Sequence, residues 1–208
     1  MIIFDLDGTL WNTVLATEKS FNDISKKYNL SNCDSTCVEK GMGLSTDEVL
    51  KLYFPSYSIE DAKKYLREIS LNLDKYMNDE NVVIYSCVSE MIKKLSGEYK
   101  LGIITNNTDN YIKNFLKISH LEEYFDDYIG ASTYGITKKE AISKMVSKHS
   151  EKFNVYVGDI KKDMEAALGA GIEFIHAKYG FGMDFEYKYY INSFDELYDV
   201  VSCIIKNY

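Results

Sequence analysis

The apolar positions change their period along the chain. Residues 1–5, Met-Ile-Ile-Phe-Asp, are a short apolar run that ends on a carboxylate, and they predict a buried strand. Gly8 and Thr9 then break the pattern. Between residues 12 and 80 the spacing is helical. Phe21, Ile24, Ser25 and Tyr28 share one helix face. Val49, Leu50, Tyr53 and Phe54 predict a second helix, and Ala62, Leu66, Ile69 and Leu73 a third. Pro55, the only proline, ends the second of these.

After residue 80 the pattern alternates. Helices are predicted at 88–96, 109–118, 138–148, 161–170 and 193–206, and strands at 99–105, 127–131, 153–158 and 172–176. The expected fold is α/β: a Rossmann-like parallel sheet with helices on both faces, plus a small all-helical cap inserted after the first strand. The expected division is 1–11 with 81–208 for the α/β core and 12–80 for the helical insert. Ligands of such sheets sit at the carboxyl ends of the strands.

Composition narrows the class. Hydrophobic residues make up 46% and charged residues 27%, as in a globular chain. The net charge of −8 speaks against nucleic acid and anionic membranes as partners. No apolar run reaches the roughly 20 residues of a membrane span. The opening Met1-Ile2-Ile3-Phe4-Asp5 has no basic stretch before it, so a cytoplasmic protein is expected. Cys33, Cys37, Cys87 and Cys203 show no paired CxxC spacing and are expected as reduced thiols.

Four groups of residues at predicted strand ends carry candidate chemistry. In Asp5-Leu6-Asp7-Gly8-Thr9-Leu10, two carboxylates two residues apart follow a strand. One can attack while the other handles protons, and both can serve a hard cation, one by side chain and one by backbone carbonyl. Thr105-Asn106-Asn107 offers hydroxyl and amide donors for a phosphoryl oxygen, or an ordinary helix start. Of Lys138-Lys139, Lys138 projects near the centre of the face marked by Ala141, Ile142, Met145 and Val146; Lys139 is the alternative. Asp159 and Asp163, one helical turn apart, can face one point. Four carboxylates at one sheet edge call for a divalent cation, and magnesium suits oxygen ligands and phosphate substrates.

The ordered set Asp5-x-Asp7-Gly8-Thr9, Thr105, Lys138 and Gly158-Asp159-x-x-x-Asp163 resembles the haloacid dehalogenase superfamily, and most of all its phosphoglycolate-phosphatase-like members. The resemblance implies a magnesium-dependent phosphomonoester hydrolase of small phosphorylated metabolites. It implies Asp5 as nucleophile, through an aspartyl-phosphate, and Asp7 as acid and base. Thr105, with Asn106, would hold the phosphoryl group, and Lys138 would offset charge. Asp5, the Asp7 carbonyl and Asp159 would bind magnesium, with Asp163 binding through water or holding Lys138. Asp7 speaks against dehalogenation. Gly41-Met42-Gly43-Leu44-Ser45 resembles the substrate-selecting loop of such caps. Asn12-Thr13 and Lys139-Glu140-Ala141 depart from the usual continuation of the motifs and leave the substrate open.

The alternatives are a sugar phosphomutase and a catalytically idle binding or regulatory member. A monomer or weak homodimer is expected. His120, His149 and His176 match no motif position and are read as structural or exposed, and Trp11 as a packing residue. Phe185, Tyr187, Tyr189 and Tyr190 read as a half-buried strand or a partner surface. Tyr179-Gly180-Phe181-Gly182 reads as a flexible segment or as lining of the site.

Overall fold

The computed structural model describes residues 1–182 and 185–206. The chain forms two compact units, Met1–Trp11 with Ile84–Tyr208, and Asn12–Val83. It begins in β1 (Ile2–Phe4) and passes through β2 (Trp11–Asn12) into the second unit.

That unit holds α1 (Val14–Tyr28), α2 (Ser35–Glu39), α3 (Thr46–Tyr53) and α4 (Ile59–Leu73). α1 buries Ala16, Phe21 and Ile24 and packs on α4, which buries Ala62 and Ile69. The Ser20 hydroxyl donates to the carbonyl of Ile69 at 2.7 Å, so this polar residue inside the helix pair is satisfied. Phe21 meets Tyr53 edge-on at 5.2 Å and stacks on Phe54 at 5.9 Å. α3 stops at Tyr53, ahead of Pro55. α2 was not expected. It has no apolar period, buries only Val38, and is held by its ends. Asp34 caps it by accepting from the Cys37 N–H at 2.8 Å, and Cys33 and Cys37 form a disulfide. The expectation of four thiols therefore fails at this pair. Their Cα atoms are 5.4 Å apart, because one helical turn separates N′ from N3.

The chain returns through β3 (Val83–Ile84), which forms a two-stranded sheet with β2. The first unit continues with α5 (Val88–Ser96), β4 (Leu101–Thr105), α6 (Asp109–Ser119), β5 (Asp127–Gly130), α7 (Ala131–Tyr134), α8 (Lys138–His149) and β6 (Val155–Gly158). Then come α9 (Lys161–Gly169), β7 (Glu173–Ala177), β8 (Tyr190–Ile191) and α10 (Leu197–Lys206). β5 stops a residue short of expectation, because the Gly130 N–H is taken by the Asp109 carboxylate at 2.7 Å and α7 starts there. Of the late aromatic cluster, Tyr190 lies in a strand, while Tyr187 packs edge-on against Phe174 at 5.4 Å.

Among the described residues the main sheet runs β5-β4-β1-β6-β7-β8, with parallel pairing between neighbours. β1 is central, with Ile2, Ile3 and Phe4 fully buried and paired to Leu101–Ile103 on one side and Val155–Val157 on the other. Alternation sends successive side chains to opposite faces. Ile3 joins Ile104, Ala141, Ile142, Met145 and Phe174, where α8 and α9 pack. Phe4 meets Phe194 at 5.9 Å and Phe125 at 6.2 Å. Both faces are thus covered, which explains why the central strands are apolar throughout. Each such side chain contributes about 1.5–3 kcal/mol on burial. Among the described residues no helix is long and apolar enough to cross a membrane.

Candidate active site

Because β4, β1 and β6 are neighbours, their carboxyl ends bring Thr105, Asp5 and Asp159 to one edge. Lys138 is the first residue of α8, whose start is capped by the Thr137 hydroxyl accepting from the Glu140 N–H, while the Thr137 N–H donates in return to the Glu140 carboxylate. Lys138 is buried and Lys139 is exposed. The Lys138 Nζ donates to Asp5 Oδ1 at 2.9 Å and to Asp163 Oδ1 at 2.5 Å. The other oxygen of Asp163 accepts from the backbone N–H groups of Asp159 and Ile160, at 3.2 and 3.3 Å. Asp163 thereby ties the lysine to the loop that carries Asp159. A buried charge persists only with this degree of pairing.

Burial pushes the Asp5 carboxyl up to about 7, although Lys138 acts against the rise. Asp159 is also pushed well up by burial, with the Asp163 and Asp5 charges adding to it. For Lys138, burial works against the charge, and Asp163 and Asp5 override it, so its pKa lies above the ordinary value. One oxygen from each of Asp5, Asp159 and Asp163 lies within 4.8 Å of the others. Three carboxylates against one ammonium leave a formal excess of two negative charges in a buried space. The donor set is hard oxygen throughout, and a divalent cation of the magnesium type fits both the charge and the ligands. Asp5 and Asp159 are the better side-chain ligands, since both oxygens of Asp163 are engaged.

Asp7 stands apart from this cluster in its partners. Its Oδ1 accepts from the Tyr111 hydroxyl at 2.6 Å and its Oδ2 from the Asn107 amide at 3.3 Å. The Asn107 N–H also donates to the Thr105 Oγ1, at 3.3 Å. Thr105 is buried, whereas Asn106 is half-buried and its carbonyl accepts from Ser132. The side-chain amide turned to Asp7 belongs to Asn107, the residue after Asn106.

The 179–182 segment takes the second of its two expected forms, lining of the site, and His176 joins it. The Phe181 N–H donates to Asp159 Oδ2 at 2.7 Å, so the 179–182 segment closes on the acid cluster. Gly8 and Gly180 explain how it fits. A Cβ on Gly8, which has φ +81°, would stand 2.0 Å from Asp159 Oδ2, and one on Gly180 would stand 2.3 Å from Asp159 Cβ. His176 is buried, and its Nε2 lies 3.1 Å from the Asp159 carbonyl and 3.0 Å from that of Gly182. Both neighbours are acceptors, so Nε2 carries the proton. Nδ1 has no hydrogen-bond partner among the described residues, and burial lowers the His176 pKa. The ring is a neutral clamp between two loops. The doublet of glycines around Phe181 was the signal available for this segment; His176 had none.

A model of the haloacid dehalogenase-like hydrolase family matches residues 2–177. The chain is 27% identical over 190 residues to a phosphoglycolate phosphatase from Aquifex aeolicus, covering 87% of this chain and 85% of that protein. It is 27% identical over 177 residues to the pyrophosphatase PpaX of Listeria innocua, covering 81% and 78%. In fold it is similar to a haloacid dehalogenase-like family hydrolase from Streptococcus pneumoniae, with a TM-score of 0.81 at 19% identity over 100% of this chain and 97% of that one. With the family match running through all four motif positions, the chain belongs to the haloacid dehalogenase-like hydrolases.

Proposed function

We propose that this chain is a magnesium-dependent phosphomonoesterase that works through a phosphorylated Asp5. The observation that carries the reading is the buried lysine shared by Asp5 and Asp163, beside Asp159. Asp5 attacks phosphorus as the ester P–O bond breaks, and Asp7 gives its proton to the departing oxygen. Asp7 then takes a proton from the water that releases phosphate from Asp5. Thr105 and Asn106 hold the phosphoryl oxygens, and Lys138 offsets the charge that builds on them. Bound at Asp5, Asp159 and the Asp7 carbonyl, magnesium would supply the positive charge that lets one anion approach another.

The substrate we infer is a small phosphorylated metabolite. Relatives named for phosphoglycolate and for pyrophosphate make those two compounds the first to try. In this reading the helical unit serves as the cap, with 41–45 as its substrate-selecting loop. The acidic balance of −8 supports a small-molecule substrate over nucleic acid. The test is phosphate release from a panel of phosphorylated metabolites, with magnesium or with chelator. Native protein is expected to release phosphate only with magnesium, and Asp5→Asn to release none while keeping its fold. Sustained turnover by Asp5→Asn, with deamidation excluded by mass, overturns the nucleophile.

A further inference from the structure

The proposed chemistry uses Asp7 twice, so the direction of its carboxylate matters, and the structure holds both of its oxygens. The shorter bond, 2.6 Å, comes from the Tyr111 hydroxyl, 104 residues away in sequence. Tyr111 is itself fixed. It is the third residue of α6, and its N–H donates to the capping Thr108 hydroxyl at 3.4 Å. Its ring meets the fully buried Trp11 edge-on at 5.2 Å, and Trp11 meets Phe115 at the same distance. Asp7 and Trp11 belong to one closed turn: the Gly8 N–H donates to the Trp11 carbonyl at 3.0 Å, and the Trp11 N–H to the Leu6 carbonyl at 3.2 Å. The aromatic residue that braces Tyr111 and the acid that Tyr111 holds are thus parts of one small rigid piece.

Resting on the phosphatase reading, we propose that Tyr111, with Asn107 as second donor, is a positioning residue that orients Asp7 for proton transfer to the leaving group. A carboxyl held by donors on both oxygens cannot rotate freely about its last bond, and small misorientation of a catalytic group is costly. In the acid form the phenol keeps its 2.6 Å bond to Oδ1 and the proton sits on Oδ2, whose contact with the Asn107 amide is the longer at 3.3 Å. As the bond from Asp5 to phosphorus forms and the ester bond breaks, that proton passes to the ester oxygen, which departs as an alcohol. Asp7 is left as a carboxylate on the same two donors. The contribution matters most where the leaving oxygen is strongly basic.

The experiment compares kcat/KM for an alkyl monophosphate and for p-nitrophenyl phosphate, whose leaving group needs little protonation. The proteins are wild type, Tyr111→Phe, Asp7→Asn and the double variant, with slow reactions followed at enzyme excess. General acid–base catalysis is worth about 10²–10⁴-fold, and a mispositioned acid keeps part of it. Tyr111→Phe is therefore expected to lose about 10- to 100-fold on the alkyl ester and less than about threefold on the aryl ester. It is expected to add no loss in the Asp7→Asn background. Equal losses on both esters, or a full additional loss in that background, overturn the proposal and leave Tyr111 a packing residue. Tyr111→Phe keeps the ring against Trp11; should circular dichroism show it unfolded, Asn107→Ala takes its place with the same two criteria. A wild-type protein that hydrolyses neither ester overturns the phosphatase reading itself, and this inference with it.

Discussion

The Nζ of Lys138 lies 2.5 Å from Oδ1 of Asp163, and both side chains are buried. The same ammonium reaches Asp5 at 2.9 Å, so one cation joins the strand end of β1 to the first turn of α9. Replacing it strands two carboxylates in a space with little water.

Lys138→Met is accordingly expected to destabilise the protein by about 3–5 kcal/mol, the usual result of removing one partner from a buried pair. Urea unfolding followed by circular dichroism measures this. Phosphate release is expected to fall by about 10²–10³-fold, as when one charge-stabilising donor is lost. Lys139→Met, at the exposed neighbour, is expected to stay within about 0.5 kcal/mol and to keep activity. The reverse ranking would move the role to Lys139.

The acid cluster carries a pH dependence whose sign follows from its pKa shifts. Asp5 is raised by burial from the ordinary 3.8 to about 7, and Asp159 is raised as well. Between those values the folded chain holds the Asp5 proton more tightly than the unfolded chain does. The Asp5 share of the stability of metal-free protein is therefore lost as pH rises from about 4 to about 7, and Asp159, raised in the same direction, adds a loss of the same sign. A cation that binds only the folded, ionised cluster reverses the loss. Thermal unfolding at pH 5, 6, 7 and 8, in chelator or in magnesium, is expected to show a gap that widens with pH. Asp5→Asn is expected to remove the Asp5 share of the decline in chelator. A gap of the same size at every pH would count against a cation on these carboxylates.

What could be read beforehand divides along physical lines. The apolar runs of β1, β4 and β6 announce themselves because both faces of the sheet are covered. Lys138 could be singled out because helical rotation alone places it among Ala141, Ile142 and Met145. Tyr111 on Asp7 and His176 on the Asp159 carbonyl could not, because each depends on which strands and loops meet, not on local spacing. α2 escaped for a related reason: a five-residue helix held by a cap and a disulfide leaves no hydrophobic period to find. The thiol expectation rests on compartment, and it fails where a capped helical turn brings Cys33 and Cys37 together.

His176 gives the remaining prediction. Its Nε2 serves two carbonyls, the buried one of Asp159 and the half-buried one of Gly182, and so anchors the loop whose Phe181 N–H holds the Asp159 carboxylate. His176→Leu leaves those carbonyls without this donor, at a cost of about 1–3 kcal/mol. It also frees Asp159 to shift, so the magnesium concentration for half-maximal stabilisation is expected to rise severalfold. His176→Gln, which keeps an N–H donor, is expected to recover part of both losses. The histidine adds a pH term of its own. Burial lowers its pKa from the ordinary 6.5, so its stabilising share is complete above 6.5 and is lost as pH falls below that value. In His176→Leu this acid-side loss is expected to disappear, while the opposite slope due to Asp5 remains. A magnesium requirement unchanged in His176→Leu would confine the residue to packing against Phe185, whose ring lies 4.0 Å away.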